Sequence, residues 1–463
     1  MSSITMKTNR GYSVTSHADS HPRTDHCRVD CHAHSVAAPT SFASRYSMLQ
    51  NGILPTVFAL ITAVVSPQMA AAADWTAWRG PLGNGISSEK NILTTWGPEK
   101  NVRWRIPLTE PGNSTPIVAK GRVFLTQAEG KQRNVLCFDR TDGKLLWKSG
   151  IELASNERTH DTNPYASSSP VTDGERVIAW FGSGGLVGYD VDGKELWRTD
   201  LGIHDHKFGY GSSPVIHDDL CFLNFGPGVR EFLVAVDKRT GKEVWRHSSP
   251  VPGIDDVFGT WSTPLIVEYA ERVELISALR GELAGHDPKT GRVYWNVTNW
   301  GTQAKSSPVA GEGIVVLTGD YEPKTTEVAV RLGGAGNISD THVLWRTQPP
   351  RRRVGTGVIH DGHIYGTRSG GFVDCVELTT GKVVWDERLP ATTSTTAIWS
   401  SPVLIDGKLY VVNQGGDGFV VRAAPTFELL ATNPMGEKTN SSIVVSDGEI
   451  FLRTHVGLWC LGK

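Results

Sequence analysis

The chain has 463 residues, with 46 basic and 48 acidic side chains and a formal net charge of −2. So balanced a charge excludes the strong field that would mark nucleic acid or an anionic membrane surface as a partner. Hydrophobic residues make up 39%, and 50 Gly beside 15 Trp predict many tight turns and one large aromatic body used repeatedly in packing, the composition of an all-β protein of short strands.

Residues 1–47 read as a pre-signal segment. They hold His17, His21, His26, Cys27, Cys31, His32 and His34. Those types suit a metal, but a segment ahead of a signal leaves with it, and Met48 is an alternative start. Ile53 to Val65 is apolar yet short for a bilayer, and it runs into the small-residue stretch Gln68-Met69-Ala70-Ala71-Ala72-Ala73. Residues 48–73 are therefore expected to be a cleaved signal peptide, placing the mature chain in the periplasm or outside the cell, with no transmembrane helix after cleavage. Residues 74–100 form an N-terminal extension.

From residue 101 to 463 the chain repeats. Asp139 to Trp147, Asp190 to Trp197, Asp237 to Trp245, Asp287 to Trp295 and Glu377 to Trp385 each carry a Gly-Lys or Gly-Arg turn before Trp, at Gly143, Gly193, Gly241, Gly291 and Gly381. Trp104 and Trp345 keep only the end of the pattern, and Leu430 stands in the eighth place. A Ser-Pro or Ser-Thr-Pro landmark precedes most units. Each unit parses into strands A to D with Asp-Gly, Thr-Gly-Lys or Gly-Gly between them, where hairpins need positive φ. The expected fold is an eight-bladed β-propeller of four-stranded antiparallel blades, with Val102 to Pro107 joining the C-terminal blade and closing the ring. Seven blades are the alternative, because units five and seven are degenerate.

Cys137, Cys375 and Cys460 take one strand-C position in different blades and Cys221 lies in a strand B, too far apart for disulfides, so all four are expected to be buried thiols. The D–A loops gather at one mouth of the channel and carry the candidate ligand-binding residues Asp161, Tyr165, His204, His206, Tyr210, Asp255, Trp261, Trp300, Lys305, Arg352 and Trp399; a B–C loop adds Arg368. His204 and His206 with Asp161 or Asp255 have metal-ligand spacing, but solvated loop histidines are the commoner outcome and no metal site is expected. Trp261 suits a platform under a flat ring or ordinary packing. Gly182 to Gly188 is glycine-rich, yet no helix follows to bind a phosphate.

Ala235-Val-Asp237-Lys-Arg-Thr240-Gly241-Lys-Glu-Val-Trp245 resembles the tryptophan-docking motif of quinoprotein-type (PQQ-like) propellers. The resemblance covers roughly 101–463 and implies that Trp104, Trp147, Trp197, Trp245, Trp295, Trp345 and Trp385 dock on the turns of neighbouring blades. It implies two functional branches. One is the calcium- and pyrroloquinoline-quinone (PQQ)-dependent alcohol dehydrogenases; the other is the non-catalytic BamB-like propellers, which bind protein segments. The chain lacks the adjacent Cys pair of the first and a lipid-anchoring Cys at the signal junction. The expectation is a monomeric, non-catalytic binding or scaffold module for a protein or polymer with no cofactor; a quinoprotein oxidoreductase acting on alcohols or sugars is the alternative.

Overall fold

Strands of alternating pattern joined by tight glycine turns leave each repeat one stable arrangement, an antiparallel meander that buries both faces against its neighbours. The computed structural model describes residues 74–463 apart from 252–258, 322–323 and 350. Among them the only helical turn is Gly182–Gly184, and no helix is long and apolar enough to cross a membrane. Eight sheets form. Blades 1 to 7 span 117–152, 171–199, 215–248, 265–298, 309–347, 358–388 and 403–434. Blade 8 takes strands A to C from 444–461 and its outer strand from Val102–Pro107, with Trp104 opposite Cys460. The eight-bladed reading and the ring closure hold, and the seven-bladed alternative falls.

The outer rim repeats one contact. The indole Nε1 of Trp104, Trp147, Trp197, Trp245, Trp345 and Trp385 donates to a turn carbonyl of the next blade, at 2.8 to 3.0 Å. A side chain on Gly143 would lie 2.9 Å from Trp104, and one on Gly193 2.6 Å from Trp147, so these turns admit glycine alone. Trp295 departs from the expectation. Blade 5 replaces its Gly turn with a longer connection, whose Gly336–Asn337 pairs in parallel with Trp295 and Asn296, and the Trp295 indole donates instead to Glu274 at 2.6 Å.

The eighth place also needs a correction. A bulge shifts the register so that Ala431, not Leu430, faces strand C where the other blades have Trp. No Trp is needed there, because strands C and D of blade 8 come from opposite ends of the chain and no C–D turn exists to receive it. The four cysteines from Cys137 onward are buried free thiols, and burial pushes Cys137 up to about 12; Cys27 and Cys31 lie outside the described residues.

The inner rim holds a second ring. At the start of each strand A stands Thr115, Ser169, Ser213, Thr263, Ser307, Thr356, Ser401 or Ser442, and each backbone N–H donates to the hydroxyl of the next, at 2.8 to 3.1 Å. The last bond runs from Ser442 back to Thr115, so the belt is closed. Six of the eight are followed by Pro. That residue begins an inner-edge strand, where a missing N–H leaves no donor unmet.

The extension crosses the mouth formed by the short A–B turns, called lower here. Asp74 accepts from Lys120 in blade 1, Thr76 from Thr172 in blade 2, and Glu89 from Asp447 and Gly448 in blade 8. Between them Ile86–Ser87 pairs in parallel with Leu404 and Ile405 of blade 7. Residues 74–89 thus act as a strap built into the ring.

Candidate functional site

At the upper mouth the D–A loops enclose a cup of about 600 Å³. Trp78, on the strap, lines both this cup and a cavity at the lower mouth, and so forms its floor. Trp261 rises from the start of blade 4, held by its indole bond to Gly209 O at 3.0 Å and by an edge contact to His206 at 5.3 Å. Phe208 packs between Trp261 and His160. Lys305, Arg352 and Trp399 continue the wall through the next three D–A loops, and Trp261 N donates to Ala304 O at 2.8 Å. Lys305 Nζ lies 3.4 Å from Gln303 Oε1. Asn113 and Asn440 both donate to Thr162 O at 3.0 Å, and Asn163 donates to Phe208 O at 2.7 Å, which fixes the loops leading into blades 1, 2, 3 and 8 against one another.

Of the residues expected at this mouth, Trp261, Lys305, Arg352 and Trp399 line the cup. The others do not. Asp161 is exposed in a turn outside it. Tyr165 lies under Arg133, ring to guanidinium 4.2 Å, and donates to Glu157 O. Tyr210 is buried and donates to Tyr165 O. His204 is 1% exposed in a box of Trp180, Tyr210 and Phe225, where burial, followed by the neighbouring His206, pulls its imidazole down to about 4. His206 is equally enclosed and receives Phe208 N. The solvated-loop expectation for this pair is overturned: both rings fill space between blades. Trp300 is core, packed where a side chain on Gly319 would stand. Asp255 lies outside the described residues.

Arg368 is corrected most sharply. It is 3% exposed and closes a buried ring of charges with Glu327, Arg353 and Asp374. Arg353 reaches Glu327 at 3.0 Å and Asp374 at 3.0 Å, and Arg368 reaches Glu327 at 3.0 Å. Burial alone would raise the Glu327 carboxyl; the two guanidiniums outweigh it and hold it at about 2. This ring anchors the loop that presents Arg352. On the other side of the channel, Glu231 accepts from Thr260 Oγ1 and Arg280 N, both at 2.9 Å. Burial pushes its carboxyl up to about 7 against the pull of Arg280.

The sequence reading missed Trp78, Lys207, Phe208, Gln303 and Asn440. Lys207, Phe208 and Gln303 carried a signal, as members of D–A loops already singled out; Trp78 and Asn440 carried none.

PQQ and calcium, which the propeller class implies, can be tested against this lining. Among the described residues the cup presents no carboxylate, and no group of three His, Cys, Asp or Glu side chains is placed to hold a metal. Calcium needs oxygen ligands of the carboxylate kind. The described lining does not fit the pair, and no step is derived through it.

Eight meandering blades, indoles bonded to adjacent turns and a channel opening into a loop-lined cup define a PQQ-like propeller. The chain belongs to the family whose model is described as outer membrane protein assembly factor BamB, matched over residues 84–225 and 230–462. It is 25% identical over 362 residues to a tetrathionate hydrolase of Acidithiobacillus ferrooxidans, covering 73% of this chain and 70% of that one. It is 27% identical over 251 residues to a quinohemoprotein alcohol dehydrogenase of Pseudomonas putida, covering 47% of this chain but a third (33%) of the dehydrogenase. BamB from Moraxella catarrhalis shares the fold with a TM-score of 0.54 and 13% identity, over 78% of this chain and 97% of that one.

Proposed function

We propose that this protein is a non-catalytic binding propeller of the periplasm or cell exterior, taking its ligand at the channel mouths. The observation that carries the reading is the lining of the upper cup. Aromatic rings, amides, belt hydroxyls and cations converge there, while the described lining supplies no carboxylate; its one imidazole, His160, lies 2.9 Å from the Thr162 hydroxyl with no acidic residue of the cup beside it. Such a wall recognises and orients; the His160–Thr162 pair lacks the carboxylate that would orient a catalytic imidazole. The second reading is a quinone-dependent oxidoreductase, favoured by the likeness to the Pseudomonas dehydrogenase. Equilibrium dialysis of the purified chain with PQQ and calcium, followed by dye reduction with alcohols and aldoses, separates the two. The binding reading expects no dye reduction. Stoichiometric quinone uptake with substrate-dependent reduction would replace it by the second.

A further inference from the structure

The inner edge of strand A faces the channel in every blade, and the strap shields it unequally. In blades 1, 2, 7 and 8 strand A is buried along its whole length, at Ile117–Ala119, Val171–Thr172, Val403–Ile405 and Val444–Ser446. In blades 3 to 5 it is not. Val215–His217 is partly exposed throughout, Leu265–Tyr269 is buried only at Leu265, and Val309–Gly311 only at Val309. Each of these three pairs only with strand B of its own blade among the described residues. With the strap they enclose a lower vestibule of about 830 Å³.

We propose that this vestibule docks an extended apolar segment of a partner protein carrying basic residues, added as a strand along the uncovered inner edge of blade 4, the longest of the three, between those of blades 3 and 5. The proposal rests on the reading of the chain as a binding propeller. The strap itself shows the mode of attachment. Trp75 bridges to Val118, Thr172 N donates to Thr76 O at 3.0 Å, and Ile86 and Ser87 pair in parallel with Leu404 and Ile405. Exposed edges with unmet backbone groups take such strands readily. Charge selects the segment. Asp173 in the wall is already met by Lys238 at 3.1 Å, and Arg79 is spent on backbone carbonyls. Asp218, with His217 at 3.7 Å, and Glu268 remain, and Glu312, whose two oxygens accept from Gly362 N at 3.1 and 3.2 Å, keeps an unneutralised charge. A basic residue on the incoming strand meets them.

Fluorescence anisotropy of the whole chain with labelled KVTVKVTVK and EVTVEVTVE tests this. The basic peptide should bind saturably at one site and at least tenfold tighter than the acidic one. Glu268→Lys with Glu312→Lys should weaken it tenfold or more, whereas Glu195→Lys with Glu243→Lys, the same charge change on the outer rim, should not. Equal binding of the two peptides, no binding, or equal loss in both double variants overturns the proposal. Tighter binding of a peptide spanning 48–73, or a dimer in ultracentrifugation that Glu268→Lys dissolves, also overturns it, in favour of the chain's own segment or a second copy. None of these results bears on quinone uptake at the upper cup, so this proposal and the binding reading can fail separately.

Discussion

The two mouths of the channel are built by opposite rules. At the lower mouth the A–B turns are short and alike: Lys120-Gly121, Glu312-Gly313, Asp361-Gly362, Asp406-Gly407 and Asp447-Gly448 all sit at positive φ, the conformation of the tightest hairpins. Variation there comes from the strap laid over the ring and from the inner edges it leaves uncovered. At the upper mouth the D–A loops differ blade by blade in length and chemistry. They are held by charges and rings buried behind the wall rather than by one repeated device. Regularity at one end thus frees the other to vary, and stability is concentrated in different chemistry at each.

The largest effect that sharpens this contrast is expected in the buried charge ring behind the upper wall. Arg353→Met leaves Glu327 and Asp374 enclosed with only Arg368, and removal of one partner from a buried network costs roughly 3–5 kcal/mol. Urea unfolding should show that loss, while the adjacent exposed Arg352→Met should cost less than about 1 kcal/mol. Comparable losses in both would place the stability in the loop itself rather than in the ring.

Glu231 gives the next effect, and its direction can be worked out. Its carboxyl titrates near 7 in the fold against 4.5 in a free chain, so between those values the folded state holds the proton that the unfolded state has lost. The Glu231 contribution to stability must then fall as pH rises through that window, by at most about 3 kcal/mol. Glu327 acts the other way, because its carboxyl is held at about 2: its stabilisation is present above 4.5 and lost as pH falls toward 2. In thermal melts Glu231→Gln should steepen the rise in stability between pH 4.5 and 7 that buried His204, held at about 4, imposes, and leave the acid limb intact. A slope unchanged by the substitution would assign that proton to another group.

Much of the fold was legible in the sequence because its strongest signals are local. A Gly turn and a Trp a few residues on are set by one hairpin, so their spacing survives in the chain. The belt was half legible. Its Ser-Pro marks were visible, but the hydroxyl of Ser169 receives Thr115 N, 54 residues earlier, and that partnership exists only between blades. Leu430 was placed one residue early because a bulge shifts register without any mark in the sequence. The site was less legible for the same reason. His204 and Trp300 occur in loop sequences, yet a loop does not say whether its side chain turns to the cup or between the sheets. Trp78 was invisible as a floor, because only the path of the strap across the ring puts it there.

The smallest of these effects falls on the strap, where the two mouths meet. Arg79 is 3% exposed, and its guanidinium donates to Pro402 O and Gly357 O at 2.7 Å and to Asn84 O at 3.1 Å. Burial lowers its pKa to about 9, so the cation persists at neutral pH without a carboxylate bonded to it. Arg79→Met relieves the burial of that charge but strands the Pro402 and Gly357 carbonyls. The two terms oppose, and a net loss of about 1–2 kcal/mol is expected. Its diagnostic consequence is local: limited proteolysis should cut within residues 74–89 before the blades open. If cleavage instead awaits global unfolding, the strap is held by its bonds to blades 1, 2, 7 and 8 without Arg79, which then only fills space.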